Sequence, residues 1–325
     1  PSIFQKAIDG TDAYDDQFGE KVAAGRTITD AYWDLVVTDI TEALDVLAPI
    51  HTSSNGEDGF VSVEVAPDLA HDTGRTIEAA AGLHDRIDRP NLYVKIPGTA
   101  EGVPAIGEMI ARGKSINVTL LFSVQRYDDV IEAYLSGLER FAAEGGDLST
   151  VRSVASFFVS RVDSEIDARL DEIGSDDALA LKGKAAIANA KMAYQLFLER
   201  FSGERWEKLA AAGAHVQRPL WASTSTKSPD YPDTAYVDAL IGPDTVNTLP
   251  NDTIDAFEDH GTLARTVDTD LDAARHDIDR LASLDIDLEE VAAVLEREGV
   301  DKFIASFDDL ITSLASKAAH LQATG

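Results

Sequence analysis

From residue 60 to residue 259 the chain alternates strand patterns with helix patterns, and this rhythm limits its fold more than any other feature. Short β-branched and aromatic runs mark strands at Phe60 to Val65, Asn91 to Ile96, Ser115 to Phe122, Val151 to Phe158, His215 to Ser223 and Thr245 to Leu249. Between them, helical spacing predicts helices over Pro67 to Ile87, 102–112, 123–143, 160–173, 176–201, 232–241 and 251–259. Pro67 suits a first helical turn, and Gly145-Gly146 suits a helix end. Two further helices, 5–24 and 28–48, and a polar loop over 52–59 come before the first strand. Residues 267 to 321 read as helix apart from turns near Leu284 and Gly299.

Strands that alternate with helices argue for a parallel sheet, since each crossover needs room for a helix. No G-x-G-x-x-G or Walker A pattern follows a strand, which weighs against dinucleotide or nucleoside-triphosphate binding. The expectation is an α/β fold, a (β/α)8 TIM barrel of roughly 250 residues with extra C-terminal helices. There is no internal repeat and no linker, so residues 1–325 read as one barrel domain, with 267–325 as a helical extension packed on it. Six strands are visible. The chain opens on Pro1-Ser2-Ile3-Phe4 without a Met and runs at once into a helical pattern, so two strands are expected upstream of it.

Composition removes several function classes. There are no cysteines, which excludes disulfides, thiolate metal sites and a cysteine nucleophile. A formal net charge of -30 repels nucleic acid and anionic membrane surfaces. No apolar run is long enough to span a bilayer, and the N-terminus does not look like a signal peptide. The reading is a cytoplasmic protein with a solvated acidic surface.

Three successive strands then show the same pattern. In Val61-Ser62-Val63-Glu64-Val65 the valines share one face and Glu64 lies on the other. In Tyr93-Val94-Lys95-Ile96 the lysine opposes Val94 and Ile96. In Ile116-Asn117-Val118-Thr119-Leu120, Asn117 and Thr119 oppose the apolar residues. In a barrel the outward face packs under helices and is apolar, so Glu64, Lys95, Asn117 and Thr119 form an inward polar set. They fall near the C-terminal halves of their strands, where barrel enzymes place catalysis. A desolvated lysine favours its neutral form and can attack a carbonyl to give an imine. Glu64 and Thr119 can manage the water and protons of that step, and Asn117 can hold a substrate hydroxyl. The plainer alternatives are a buried salt bridge for Glu64 with Lys95 and a satisfied core amide for Asn117.

An acidic protein that handles an anionic substrate needs cations near the strand ends. Arg161 follows the strand that ends at Phe158, and Lys227 follows the one that ends at Ser223. Both are placed to hold phosphate together with hydroxyls and backbone amides. For Arg161 the alternative is an ion pair with Asp163 or Glu165 on its own helix. The seven histidines show no metal-ligand spacing, and no metal is expected.

With these residues in view, the sequence resembles the transaldolases, in particular the longer bacterial type. The likeness runs through Pro1-Ser2-Ile3-Phe4, Val63-Glu64-Val65, Val94-Lys95-Ile96-Pro97, Asn117-Val118-Thr119-Leu120-Leu121-Phe122-Ser123, Ser153 through Asp163, and Arg218-Pro219-Leu220-Trp221-Ala222-Ser223-Thr224. Six such segments in the same order are far more specific than any one of them.

The resemblance implies a class I, cofactor-free enzyme of the non-oxidative pentose phosphate pathway. Such an enzyme moves a dihydroxyacetone unit from sedoheptulose 7-phosphate or fructose 6-phosphate to an aldose phosphate. It implies Lys95 as the Schiff-base lysine, with Glu64 and Thr119 placing the catalytic water. It also implies Asn117 and Ser156 as substrate-binding residues, Arg161 as a phosphate ligand, and Ser223 and Lys227 in a second phosphate loop where the likeness is looser. The family's acid/base aspartate and a substrate asparagine are expected upstream of Pro1. Two alternatives remain: an aldolase of the fructose-6-phosphate type that releases free dihydroxyacetone, and a non-catalytic sugar-phosphate-binding protein. Sugar phosphates are the expected partners, with the chain acting as a monomer or homodimer.

Overall fold

The parallel alternation is realised in the computed structural model, which describes residues 13–324, with side chains described to residue 319. Six strands occur among these residues: β1 (Val61–Glu64), β2 (Leu92–Pro97), β3 (Ile116–Leu121), β4 (Ser153–Phe158), β5 (Gln217–Ala222) and β6 (Val246–Asn247). Their order in the sheet is their order in the chain. The backbone divides into two compact units, Pro1–Lys95 with Gly299–Gly325, and Ile96–Glu298. In the first, β1 pairs in parallel with β2. In the second, β3, β4, β5 and β6 pair successively in parallel.

In the first unit, α1 (Asp15–Ala23) and α2 (Ile28–Ser53) precede the strands, and α3 (Thr73–Ile87) joins β1 to β2. Thr27 caps α2 by accepting from the Asp30 amide at 3.1 Å. The expected stop at residue 48 is not there: α2 runs through Pro49 to Ser53. A helical proline removes one N–H donor and strains one turn, but here Leu35, Val36 and Leu44 are buried and fix the helix by packing. The helix expected from Pro67 divides instead. A single 3-10 turn covers Pro67–Leu69, and the Asp72 carboxylate then caps a fresh start at Thr73. Of the helix expected over 5–24, residues 5–12 lie outside the described residues, as does the Pro1-to-Phe4 segment.

The second unit carries α4 (Gly102–Ala111), α5 (Val124–Ala143), α6 (Ser160–Ile173), α7 (Asp176–Leu179), α8 (Ala185–Arg200), α9 (Gly203–Ala211), α10 (Ala235–Ala239), α11 (Asn251–His260) and α12 (Leu271–Ser283). The single helix expected over 176–201 is two, because Gly183 takes a left-handed φ of 73° between them. Helix α9 was not expected from the pattern. Trp206 and Leu209 hold it down, the indole meeting the Phe201 ring edge-on at 4.9 Å. The last helix, α13 (Leu288–Thr324), passes straight through Gly299, where a turn was expected. One glycine costs a helix about 1 kcal/mol, less than burying Leu295, Val300, Leu310 and Leu314 returns. Among the described residues no helix is long and apolar enough to cross a membrane.

Candidate active site

In the first unit, Glu64 and Lys95 stand side by side. They are register partners on β1 and β2, so their side chains leave the same face of the strand pair. The entry to β2 is fixed by Asn91, whose buried amide donates to the carbonyls of Leu44 (3.0 Å) and Gly59 (2.8 Å). Lys95 Nζ lies 4.0 Å from Glu64 Oε2, with side-chain exposures of 26% and 19%. That is attraction without a hydrogen bond. The other carboxylate oxygen, Oε1, is buried and accepts nothing. A buried salt bridge that served only stability would be expected to close both of these gaps. Nearby, burial first and the charge of Glu64 second push the Tyr32 hydroxyl up to about 12, so it stays protonated.

In the second unit, a long-range backbone bond fixes the Thr119 carbonyl. The Gly98 amide donates to the Thr119 carbonyl at 2.7 Å. A side chain at Gly98 would put its Cβ 2.4 Å from the Leu121 side chain. The expected strict alternation of β3 fails just here. The register shifts between Val118 and Leu121, and Leu120 takes a φ of 58° inside the strand. Left-handed backbone at a buried leucine costs about 1–3 kcal/mol, and bulges of this kind re-aim side chains. Thr119 is completely buried, and its Oγ1 has no hydrogen-bond partner. Asn117 is buried too, and its Oδ1 accepts from the Ser156 hydroxyl at 2.7 Å. The structure therefore joins these two predicted residues directly.

Arg161 sits in the first turn of α6, half-buried. Its ordinary alternatives are taken up elsewhere: Asp163 accepts from Tyr236 and from the Ala186 amide, and Glu165 pairs with Arg169. Among the described residues no carboxylate pairs with Arg161. The guanidinium lies over the Phe158 ring, 5.1 Å from its centroid. Burial alone pulls its pKa below the usual arginine range. Beside it, Ser223 takes a φ of 57°; its carbonyl accepts from the Ser160 amide at 2.9 Å, and the two hydroxyls lie 2.9 Å apart. Lys227 is less engaged: it is exposed and donates to Ser225 Oγ at 2.8 Å.

Sequence reasoning missed Phe158, Asp167 and the true partners of Asp163. One signal was available. Aspartates at 163 and 167 share a helix face and repel, so a chain that keeps both must supply donors. Among the described residues no three His, Asp or Glu side chains gather to hold a metal ion.

Parallel strands joined by helices, with a lysine–carboxylate pair on adjacent strands, place the chain in the α/β class. Comparison with known proteins is more specific. The sequence model described as Transaldolase/Fructose-6-phosphate aldolase matches residues 1–314. "Transaldolase 1" of Streptomyces avermitilis is 50% identical over 326 residues, covering 100% of this chain and 86% of that protein. "Transaldolase" of Thermobifida fusca is also 50% identical, covering 98% and 88%. "Transaldolase" of Mycolicibacterium smegmatis is 51% identical, covering 96% and 84%. The chain belongs to the transaldolase/fructose-6-phosphate aldolase family.

Proposed function

We propose that this chain is a transaldolase that transfers a dihydroxyacetone unit from sedoheptulose 7-phosphate or fructose 6-phosphate to an aldose phosphate through an imine on Lys95. The observation that carries the reading is the in-register Lys95–Glu64 pair, held near but not hydrogen-bonded, in a chain of this family. Lys95 Nζ attacks the ketone carbon and forms a carbinolamine. Loss of water gives the imine. The C3–C4 bond then breaks and its electron pair moves toward the imine nitrogen. As the aldose phosphate departs, the C4 hydroxyl passes its proton to a general base, which returns it to the acceptor's carbonyl oxygen in the later addition. The enamine left on Lys95 attacks the acceptor aldehyde, and water releases the product. Glu64 and Thr119 serve the water steps. Asn117 and Ser156 bind substrate hydroxyls, and Arg161, with Ser223 and Lys227, takes the phosphate.

We also propose a (β/α)8 barrel, with 1–325 as one domain and 267–325 as a C-terminal helical extension. The strands in chain order and the family match support it. A cytoplasmic location and a monomeric or homodimeric state are part of the same proposal.

Borohydride trapping with fructose 6-phosphate, followed by peptide mapping, tests the mechanism. The adduct is expected on Lys95 and not on Lys191, a buried lysine whose Nζ is committed to the Thr269 carbonyl at 2.8 Å. An adduct elsewhere, or none, refutes it. Lys95→Ala should abolish transfer and Lys114→Ala should not. The family description also names an aldolase, which is the second reading. A transferase turns over donor only slowly without an aldose phosphate acceptor, whereas an aldolase does not need one.

A further inference from the structure

We infer that Asp163 and Asp167 are positioning residues for the phosphate end of the substrate, acting through the segment between β5 and β6. This rests on the assignment of Arg161, Ser223 and Lys227 to that phosphate. The two aspartates lie one turn apart on α6, directly after Arg161. Each accepts one tyrosine hydroxyl and one backbone amide. Asp163 takes Tyr236 Oη at 2.8 Å and the Ala186 amide at 2.7 Å. Asp167 takes Tyr231 Oη and the Gly183 amide, the latter at 3.0 Å. The two amides come from the turn that leads into α8. The two tyrosines come from the middle of the β5–β6 segment.

The first part of that segment is therefore held to one helix at two places. At its start, the Ser160 amide and hydroxyl hold Ser223. Further along, Asp167 and Asp163 hold Tyr231 and Tyr236. Ser225 to Asp230, with Lys227, spans these anchors, and Thr224 before it is buried and donates to Asn247 Oδ1 at 2.8 Å. The fit is close: a side chain at Gly183 would put its Cβ 2.9 Å from the Tyr231 ring. Asp163 is buried, so it cannot exchange Tyr236 for solvent without exposing itself. The arrangement fixes where Ser223 and Lys227 stand relative to Arg161, which is what a phosphate ligand set requires.

The test compares kinetics on fructose 6-phosphate with an aldose phosphate acceptor against kinetics on unphosphorylated dihydroxyacetone with an unphosphorylated aldose acceptor, where no phosphate enters the site. The variants are Tyr231→Phe/Tyr236→Phe, Asp163→Asn and, as a control, Arg161→Ala. Two lost buried hydrogen bonds predict a KM for fructose 6-phosphate raised roughly 10-fold in the double tyrosine variant, with kcat and the KM for dihydroxyacetone little changed. Asp163→Asn replaces the carboxylate acceptor of Tyr236 by an amide and should raise the same KM by a smaller, few-fold factor; no change there and in the double variant refutes the clamp. If Arg161→Ala raises the KM for fructose 6-phosphate and the double variant does not, the clamp is refuted while the phosphate assignment stands. If neither raises it, the phosphate assignment fails and the clamp with it. Equal losses on both donors in the double variant mean general structural damage and also refute positioning.

Discussion

Glu64 and Lys95 are register partners on adjacent parallel strands, with Nζ 4.0 Å from Oε2 and the second carboxylate oxygen buried without a donor. Such a pair sacrifices hydrogen bonding for access. Glu64→Gln keeps the shape and removes the proton acceptor. Turnover should fall by about 10²–10⁴-fold, the usual worth of a placed acid/base group. Stability should move by less than about 1 kcal/mol, because the pair is loose and partly solvated. Rapid-quench borohydride trapping should show the adduct forming on Lys95 slowly but completely. An unchanged trapping rate with a lowered melting temperature would make Glu64 a structural residue only.

Thr119 offers a test in which stability and activity move in opposite directions. Its hydroxyl is fully buried and unpartnered in the protein. A buried polar atom without a partner lowers stability. Thr119→Val removes it at nearly constant volume. Thermal unfolding should show equal or higher stability, by up to about 1 kcal/mol. Transfer should fall by about 10²-fold if the hydroxyl handles water or protons. Loss of stability with activity intact would place Thr119 among ordinary core residues.

Arg161 is a half-buried cation over the Phe158 ring, and among the described residues no carboxylate pairs with it. Burial disfavours its charge, as its lowered pKa reflects. Arg161→Ala should therefore leave the fold as stable as before. Charge-assisted hydrogen bonds to phosphate are worth about 1.5–3 kcal/mol, so KM for a phosphorylated donor should rise by roughly 10- to 150-fold. Competitive inhibition by inorganic phosphate should weaken in parallel. Lys227→Ala should change KM only a few-fold, since exposed charges are strongly screened.

The strand pattern was legible because β1 and β2 obey a period of two, and β4 and β5 are short runs rich in apolar residues between helical patterns. Glu64 and Lys95 could be placed on one face from that period alone, and the observed register agrees. The bulge at Leu120 was not legible: nothing in Asn117-Val118-Thr119-Leu120-Leu121 announces a positive φ at a leucine, and the Gly98 amide that meets the Thr119 carbonyl comes from a distant part of the chain. Helix ends misled wherever packing overrode local chemistry, as at Pro49 and Gly299. The partners of Asp163 and Asp167 come from residues far along the chain, so only the repulsion between the two carboxylates could have hinted at them.

The pH dependence of stability should carry two opposing contributions from the second unit. Burial, the largest cause, raises the Asp163 pKa to about 6 from 3.8, against hydrogen bonds from Ala186 and Tyr236 that lower it. The native state then binds a proton more tightly than the unfolded chain between those values. Stability contributed at this site falls as pH rises from about 4 to about 6 and stays reduced above. Glu132 behaves oppositely. Hydrogen bonding from Arg205, the largest cause, brings its pKa to about 2 from 4.5. Its contribution is present above about 4.5 and is lost as pH falls toward 2, although with 48% side-chain exposure screening limits it to about 1 kcal/mol. Asp163→Asn should therefore flatten the decline between pH 4 and 6 and leave the acid limb unchanged, while Arg205→Ala should weaken the acid limb alone. Urea unfolding of both variants across pH 3 to 8 measures each slope. A decline between pH 4 and 6 that persists in Asp163→Asn would assign that titration to another group.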